Sequence, residues 1–167
     1  PVTLPHDAMI TEQRAPDNPS GTAGAYYPGY NYTYLKTFPV PADYAGKAVY
    51  LEFEGVQQSC LVSVNGHFAA SHQNAYTPFC VDLSPYLRFG EENRVTVMVY
   101  SGSQPAARWY TGAGLYRPVW LLVGGAVHIA HNGLRISTPD VAEDISTVRT
   151  ELQVAYSGMV TRTVDVL

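Results

Sequence analysis

Charge is scarce in this chain, and what there is does not cluster. Charged residues make up 14% of the 167 residues, and the formal net charge is −4. There is no basic block, which argues against nucleic acid or an anionic membrane as a partner. Only two cysteines are present, Cys60 and Cys80. Cys60 shares the face of Val62 and Val64, whereas Cys80 lies opposite Phe79, Val81 and Leu83. One thiol is thus expected to point in and the other out, and no disulfide is expected. No metal-ligand spacing accompanies the cysteines or His6, His67, His72, His128 and His131, so neither a metal nor a cofactor is expected. No apolar run is long enough to span a membrane and no signal peptide is evident. The chain opens at Pro1 as if trimmed, so the missing signal says little about compartment. An exported bacterial setting is favoured over a cytoplasmic one. No stretch sustains a helical apolar period, which turns the fold reading away from helices.

What is abundant points the other way. Hydrophobic residues reach 46%, with 14 Gly, 12 Pro and 13 Tyr. Many turns and many aromatics suit short strands packed in a sandwich or barrel. Residues 1–34 read as an extended segment and a long loop. Strands are then expected at 34–38, ended by Pro39 and Pro41, at 48–54, 60–64, 67–70, 77–83 and 94–100. Within them Val49, Leu51 and Phe53 share one face, as do Val95, Val97 and Val99. Asn65-Gly66 is a strong type I′ hairpin signal. Ser84-Pro85 suggests one helical turn with Ser84 as N-cap. Val119 to Val123 is nearly continuous apolar sequence, as for a strand covered on both faces. The fold expected is all-β, a two-sheet sandwich or jelly roll. The character shifts at Gly124-Gly125. Strands at 133–137, 147–155 and 161–167 follow, too few to close a sandwich. Residues 1–125 are therefore expected to form one domain, and 126–167 the start of a second β-sandwich, cut inside its last strand.

The densest segment is Arg108-Trp109-Tyr110-Thr111-Gly112-Ala113-Gly114-Leu115-Tyr116-Arg117-Pro118-Val119-Trp120. Aromatic faces and an Arg in front of a Gly-x-Gly turn suit sugar rings and their hydroxyls. This segment resembles a signature of the N-terminal domain of glycoside hydrolase family 2, the family of β-galactosidases and β-glucuronidases. Other blocks resemble the same domain in the same order. They are Leu4-Pro5-His6-Asp7, with Ala8 where Trp is usual; Leu51-Glu52-Phe53-Glu54-Gly55-Val56; Val62-Ser63-Val64-Asn65-Gly66-His67; Tyr76-Thr77-Pro78-Phe79; and Val81-Asp82-Leu83-Ser84-Pro85-Tyr86-Leu87. The resemblance covers about residues 4–129. It implies a galactose-binding-like jelly roll, then an immunoglobulin-like sandwich, then a TIM barrel that carries catalysis.

Retaining glycosidases need two carboxyl groups about 5–5.5 Å apart. In this family both are glutamates on the barrel, the acid/base following an Asn, and this chain has no Asn-Glu dipeptide. No catalytic residue is therefore expected here. The resemblance implies instead that Asp7, Arg108, Trp109 and Tyr110 border the sugar subsite, Asp7 accepting hydrogen bonds from hydroxyls. In some β-galactosidases the position of Arg108 is an Asp tied to a cation, and an Arg there argues against that metal. Each residue has a competing reading: a surface turn for Asp7, a surface ion pair for Arg108, domain-interface packing for Trp109 and Tyr110. Arg117 reads as a structural ion pair, Gly112 and Gly114 as turn glycines. Tyr26, Tyr27, Tyr30, Tyr32 and Tyr34 could stack on sugars, but read first as packing for the long loop. Asn31-Tyr32-Thr33 fits a glycosylation sequon that means nothing in a bacterial host. The expected partners are a carbohydrate, a β-galactoside before a β-glucuronide or β-mannoside, and the barrel of the same polypeptide. The alternatives are a free-standing carbohydrate-binding module and a structural or adhesion sandwich.

Overall fold

A computed structural model of the chain describes residues 1–103, 110–158 and 160–165. Nine strands are described: β1 Asn31–Pro39, β2 Ala48–Phe53, β3 Ser59–Val64, β4 His67–His72, β5 Phe79–Asp82, β6 Glu92–Tyr100, β7 Val119–Gly124, β8 Val127–Val141 and β9 Ser146–Tyr156. Two single turns of 3-10 helix, Ala42–Tyr44 and Ser84–Tyr86, link strands. Sheet order is β1-β6-β3-β4 in one layer and β5-β2-β7 in the other, and β8 and β9 pair as a separate ribbon. All pairings are antiparallel. The all-β sandwich expected from the sequence is the fold observed.

Period-two alternation builds the core. Register aligns Tyr34, Val97 and Val62 in one row of the four-stranded sheet, and Val99 with Cys60 in the next. The facing sheet contributes Val49, Leu51 and Phe53, with Val81 beside Leu51 and Phe79 beside Phe53. Phe53 and Phe79 stack with ring centroids 4.7 Å apart, and His72 stacks on Phe79 at 4.2 Å. That stack closes the side of the sandwich where β4 meets β5. Phe53 is fully buried, so truncation to Ala would cost roughly 3–5 kcal/mol. The thiols are both free, Cys60 buried in the core and Cys80 half-buried on the outer face beside Glu52. Burial pushes the Cys60 thiol up to about 11.

Asn65-Gly66 forms the expected turn, with φ of +50° and +85° at its two residues. Asn65 also ties the turn to the sandwich, its side chain donating to Asn93 Oδ1 (2.7 Å) and to the Tyr86 carbonyl (2.9 Å). Buried Asn93 is paired in turn with the backbone of Arg88 and Glu91. Its polar atoms are thereby satisfied inside the protein, which removes the penalty of burying them.

Three expectations are corrected. β7 is an edge strand, and Trp120 to Val123 remain 38–52% exposed rather than covered on both faces. Its inward row of Val119, Leu121 and Val123 pairs with Phe53, Leu51 and Val49, yet no strand lies beyond it among the described residues. An apolar slot of about 470 Å³ opens there, lined by Leu51, Phe53, Val97, Leu115 and Leu121 and rimmed by Val2, Leu4 and Lys36. A continuous apolar run identifies a strand but cannot say whether neighbours cover it. Ser84 is not a cap. Asp82 Oδ1 accepts from the Ser84 N–H at 2.9 Å, and the Ser84 hydroxyl accepts from Val49 N–H at 3.0 Å. Finally, the three strands expected after residue 132 are two among the described residues. β8 runs unbroken from Val127 to Val141, and residues 161–165 are not strand.

The ribbon is joined to the outer face of the three-stranded sheet by two histidines. His128 Nδ1 lies 3.1 Å from the Gly125 carbonyl, which can only accept, so Nδ1 carries the proton. Its Nε2 then accepts from the Tyr50 hydroxyl at 3.3 Å. His131 Nε2 approaches Glu52 Oε1 at 3.2 Å without an aligned hydrogen bond, and the two form an ion pair only when the imidazole is protonated.

Candidate functional site

The sugar-signature loop is held by a small backbone ladder. The N–H groups of His6 and Ala8 donate to the carbonyls of Leu115 (2.8 Å) and Ala113 (2.7 Å). On its other side Gly114 exchanges both bonds with Gln57, at 2.8 and 2.9 Å. Residues 113–115 thus run as a short extended segment, bridged at Gly114, between the N-terminal segment and the loop before β3. Asp7 sits in the N-terminal member of this ladder, and the ladder fixes its position against Tyr110 to Ala113.

The Asp7 carboxylate is surrounded by donors. Oδ1 accepts from the Met9 and Ala113 N–H groups, each at 3.0 Å, and Oδ2 accepts from the Tyr110 hydroxyl. A carboxylate offers about four acceptor positions, so about one remains for a ligand. The hydrogen-bond partners of Asp7 include no second carboxyl group.

Gly112 and Gly114 do more than set turn geometry. Both have positive φ, +74° and +101°. A Cβ on Gly112 would stand 2.9 Å from Asp7 Oδ2, and one on Gly114 would stand 2.1 Å from the Tyr34 hydroxyl. Only hydrogen fits at either place. Tyr34 reaches this point from β1 and meets His6 Nδ1 at 2.9 Å.

A group of phenols encloses the corner. Burial, and then the bond to Asp7, hold the Tyr110 phenol well above its ordinary value of 10.0. Burial, with the negative charges of Glu12 and Asp7, pushes Tyr32 up to about 12. Burial likewise raises Tyr34. All three are therefore neutral hydroxyls near pH 7. Tyr27 packs its ring on that of Tyr110, centroids 5.2 Å apart. The Tyr32 hydroxyl is buried without a partner among the described residues.

The structure thus brings together two of the four expected site residues, Asp7 and Tyr110. Arg108 and Trp109 lie outside the described residues. Asp7 is not a free surface-turn residue, since its carboxylate spans three donors. Arg117 does not form the expected ion pair among the described residues; its guanidinium lies 5.4 Å from the Tyr116 ring centroid and 3.5 Å from the Glu54 carbonyl. His6, Tyr27, Tyr32 and Tyr34 also belong to the corner; the sequence reads His6 as a non-ligand and favours loop packing over sugar stacking for the tyrosines. The signal for the strand pair was present: Tyr32 and Tyr34 are two apart, which places them on one face once the strand begins at Asn31. No group of three or more His, Cys, Asp or Glu able to hold a metal exists among the described residues.

Residues 17–124 match the family described as "Glycosyl hydrolases family 2, sugar binding domain". The chain is 41% identical over 142 residues to the β-galactosidase BoGH2A of Bacteroides ovatus, an alignment that covers 85% of this chain and 17% of that protein. It is 30% identical over 160 residues to a putative β-glucuronidase of Formosa agariphila, covering 95% of this chain and 15% of that protein. Its fold superposes on the crystal structure of a β-glycosidase from Bacteroides vulgatus with a TM-score of 0.86 and 31% identity, covering 94% of this chain and 20% of that one. The chain therefore spans about a fifth or less of each of these three proteins. On the residues matched, it belongs to glycosyl hydrolase family 2 and carries that family's sugar binding domain.

Proposed function

We propose that this chain is the non-catalytic N-terminal region of a retaining β-glycosidase, a β-galactosidase before a β-glucuronidase or β-mannosidase. Residues 1–125 form its jelly-roll domain and 126–167 begin an immunoglobulin-like sandwich. The Asp7 corner forms one wall of a carbohydrate pocket whose catalytic glutamates stand on a TIM barrel elsewhere in the same polypeptide. Arg108 and Trp109 border the same subsite. The observation that carries this reading is the Asp7 carboxylate, immobilised by three protein donors with about one acceptor position to spare. Such a group is built to receive a hydroxyl at a fixed place. The uncovered inward row of β7 and the apolar slot beside it support the further point that more polypeptide packs here.

The test is an aryl glycoside panel of β-galactoside, β-glucuronide and β-mannoside. It is run on residues 1–167 and on the full-length enzyme. The expected result is galactoside hydrolysis by the full-length enzyme and none by residues 1–167. Turnover by residues 1–167 that disappears when one of its own Asp or Glu residues is replaced overturns the non-catalytic reading. A glycan array on residues 1–167 separates this reading from a free-standing module, which alone would bind a galactoside with submillimolar affinity.

A further inference from the structure

The loop between the Asp7 segment and β1 is held together by bonds of its own rather than by the core. None of residues 10–30 belongs to the apolar cluster between the sheets. The loop is closed on itself by polar bonds instead. Ala15 N–H donates to the Tyr26 carbonyl at 3.2 Å, and that carbonyl also accepts from Asn18 Nδ2 at 2.7 Å. Tyr26 N–H returns to the Gly21 carbonyl at 2.8 Å. The buried Ser20 hydroxyl donates to the Tyr27 carbonyl at 2.7 Å, and Arg14 Nε donates to the Ala25 carbonyl at 2.8 Å. Gly24 packs so closely on Ser20 that a Cβ would stand 2.3 Å from Ser20 Cβ.

These bonds hold the backbone where it would not go unaided. Ala25 and Tyr26 are consecutive left-handed residues with φ of +54° and +61°, a conformation that costs roughly 1–2 kcal/mol for each L-residue. Such strain persists only where the surroundings over-determine it, and it gathers at functional sites. Here its product is specific. The chain turns so that Tyr27 faces the loop of the sugar signature, its ring on Tyr110 and the Arg14 guanidinium 5.5 Å from the Tyr27 centroid. Tyr110 is the residue whose hydroxyl bonds Asp7 Oδ2.

We infer that the loop of residues 13–27 is a brace for the sugar subsite, in which Tyr27 is a positioning residue: its ring fixes Tyr110, and Tyr110 fixes the Asp7 carboxylate. The inference rests on the reading that Asp7 meets the sugar. Tyr27 acts through ring contact, since no bond to its hydroxyl is seen among the described residues. A Phe should replace it and an Ala should not. Loss of the ring frees Tyr110 to rotate and Asp7 to turn away, which weakens ground-state binding of the sugar more than the chemical step.

The experiment compares D7N, Y27A and Y27F in the full-length enzyme, using the aryl glycoside that the wild-type enzyme turns over in the panel above. Melting temperature is recorded for each variant. The expected result for Y27A is a KM raised about tenfold with kcat changed by no more than about twofold, as for loss of uniform binding. Y27F should keep the wild-type KM, and Y27A should melt within about 3 °C of wild type because the loop lies outside the core. A raised KM in D7N with a wild-type KM in Y27A overturns the inference and leaves the Asp7 reading intact. A wild-type KM in D7N overturns the Asp7 reading itself. A KM raised equally in Y27F and Y27A shows that the hydroxyl matters rather than the ring, and also overturns the brace.

Discussion

Two regions of this molecule are built to opposite rules. Around Asp7 the structure is closed and the glycines are pinched: hydrogen is the only substituent that fits at Gly112 and Gly114, and three donors share one carboxylate. Along β7 an inward-facing apolar row is left half uncovered beside an open slot. The ribbon of β8 and β9 continues the second pattern, with Ile136 63% and Val148 64% exposed. The first region is held by bonds within this chain. The second has surface that water should not see. A polar site reaches completion through a few exact short-range bonds, whereas an apolar layer is complete only when its partner layer is present. The lesson is that a polar corner can be fully bonded beside an apolar layer that is still open.

The contrast makes graded predictions. The largest effect belongs to the closed corner. G114A places a methyl 2.1 Å from the Tyr34 hydroxyl in a residue with φ of +101°. It should cost about 3 kcal/mol through strain and overpacking. A melt of residues 1–167 should then shift down by on the order of 10 °C, and an unchanged melt would mean that the ladder is looser than it is drawn here.

The open edge should be forgiving. Leu121 faces inward but is 43% exposed, whereas Leu83 is fully buried. In residues 1–167, L121S should cost less than about 1 kcal/mol, against roughly 2–5 kcal/mol for L83A. Denaturant titration at low protein concentration checks both. Equal losses would mean that the β7 edge is covered in solution, and the comparison between the regions would fail. In the full-length enzyme the L121S cost should rise toward that of L83A.

The smallest effect is a pH effect. Tyr32 ionises at 10.0 when free and is pushed up to about 12 in the fold, so folding favours its protonated form. Its contribution is fully present below pH 10 and is lost as pH rises through about 12, because the unfolded chain releases its proton first. Tyr110 and Tyr34 act in the same direction. Stability measured by urea titration should therefore fall above pH 10, less steeply in Y32F. Identical slopes in the two proteins would show that Tyr32 is exposed.

Much of this was legible in the sequence, for identifiable reasons. Alternation in Cys60 to Val64 and Val95 to Val99 reports a face, and each of those faces is buried as read. Asn65-Gly66 announces its turn because few residue pairs tolerate two positive φ values. Asp7 and Tyr110 were nominated by motif, although they stand 103 residues apart and meet at a hydrogen bond. What periodicity could not report is coverage. Val119 to Val123 looks the same whether or not a further layer lies on it. Nor could it report that Ser84 gives its hydroxyl to Val49 rather than to its own turn, since such partners come from distant sequence. The brace of residues 13–27 was read as an irregular loop because its order comes from side-chain bonds to carbonyls, which leave no periodic trace.

The central claim is that the Asp7 corner meets the sugar. The most direct measurement is a crystal structure of the full-length enzyme with its glycoside bound, the catalytic nucleophile disabled to keep the ligand intact. The account predicts a sugar hydroxyl about 2.5–3.0 Å from an Asp7 carboxylate oxygen, with the bonds from Tyr110 and Ala113 retained. A glycoside seated on the barrel with no hydroxyl in reach of Asp7 would contradict it, and would reduce the corner to a structural clasp.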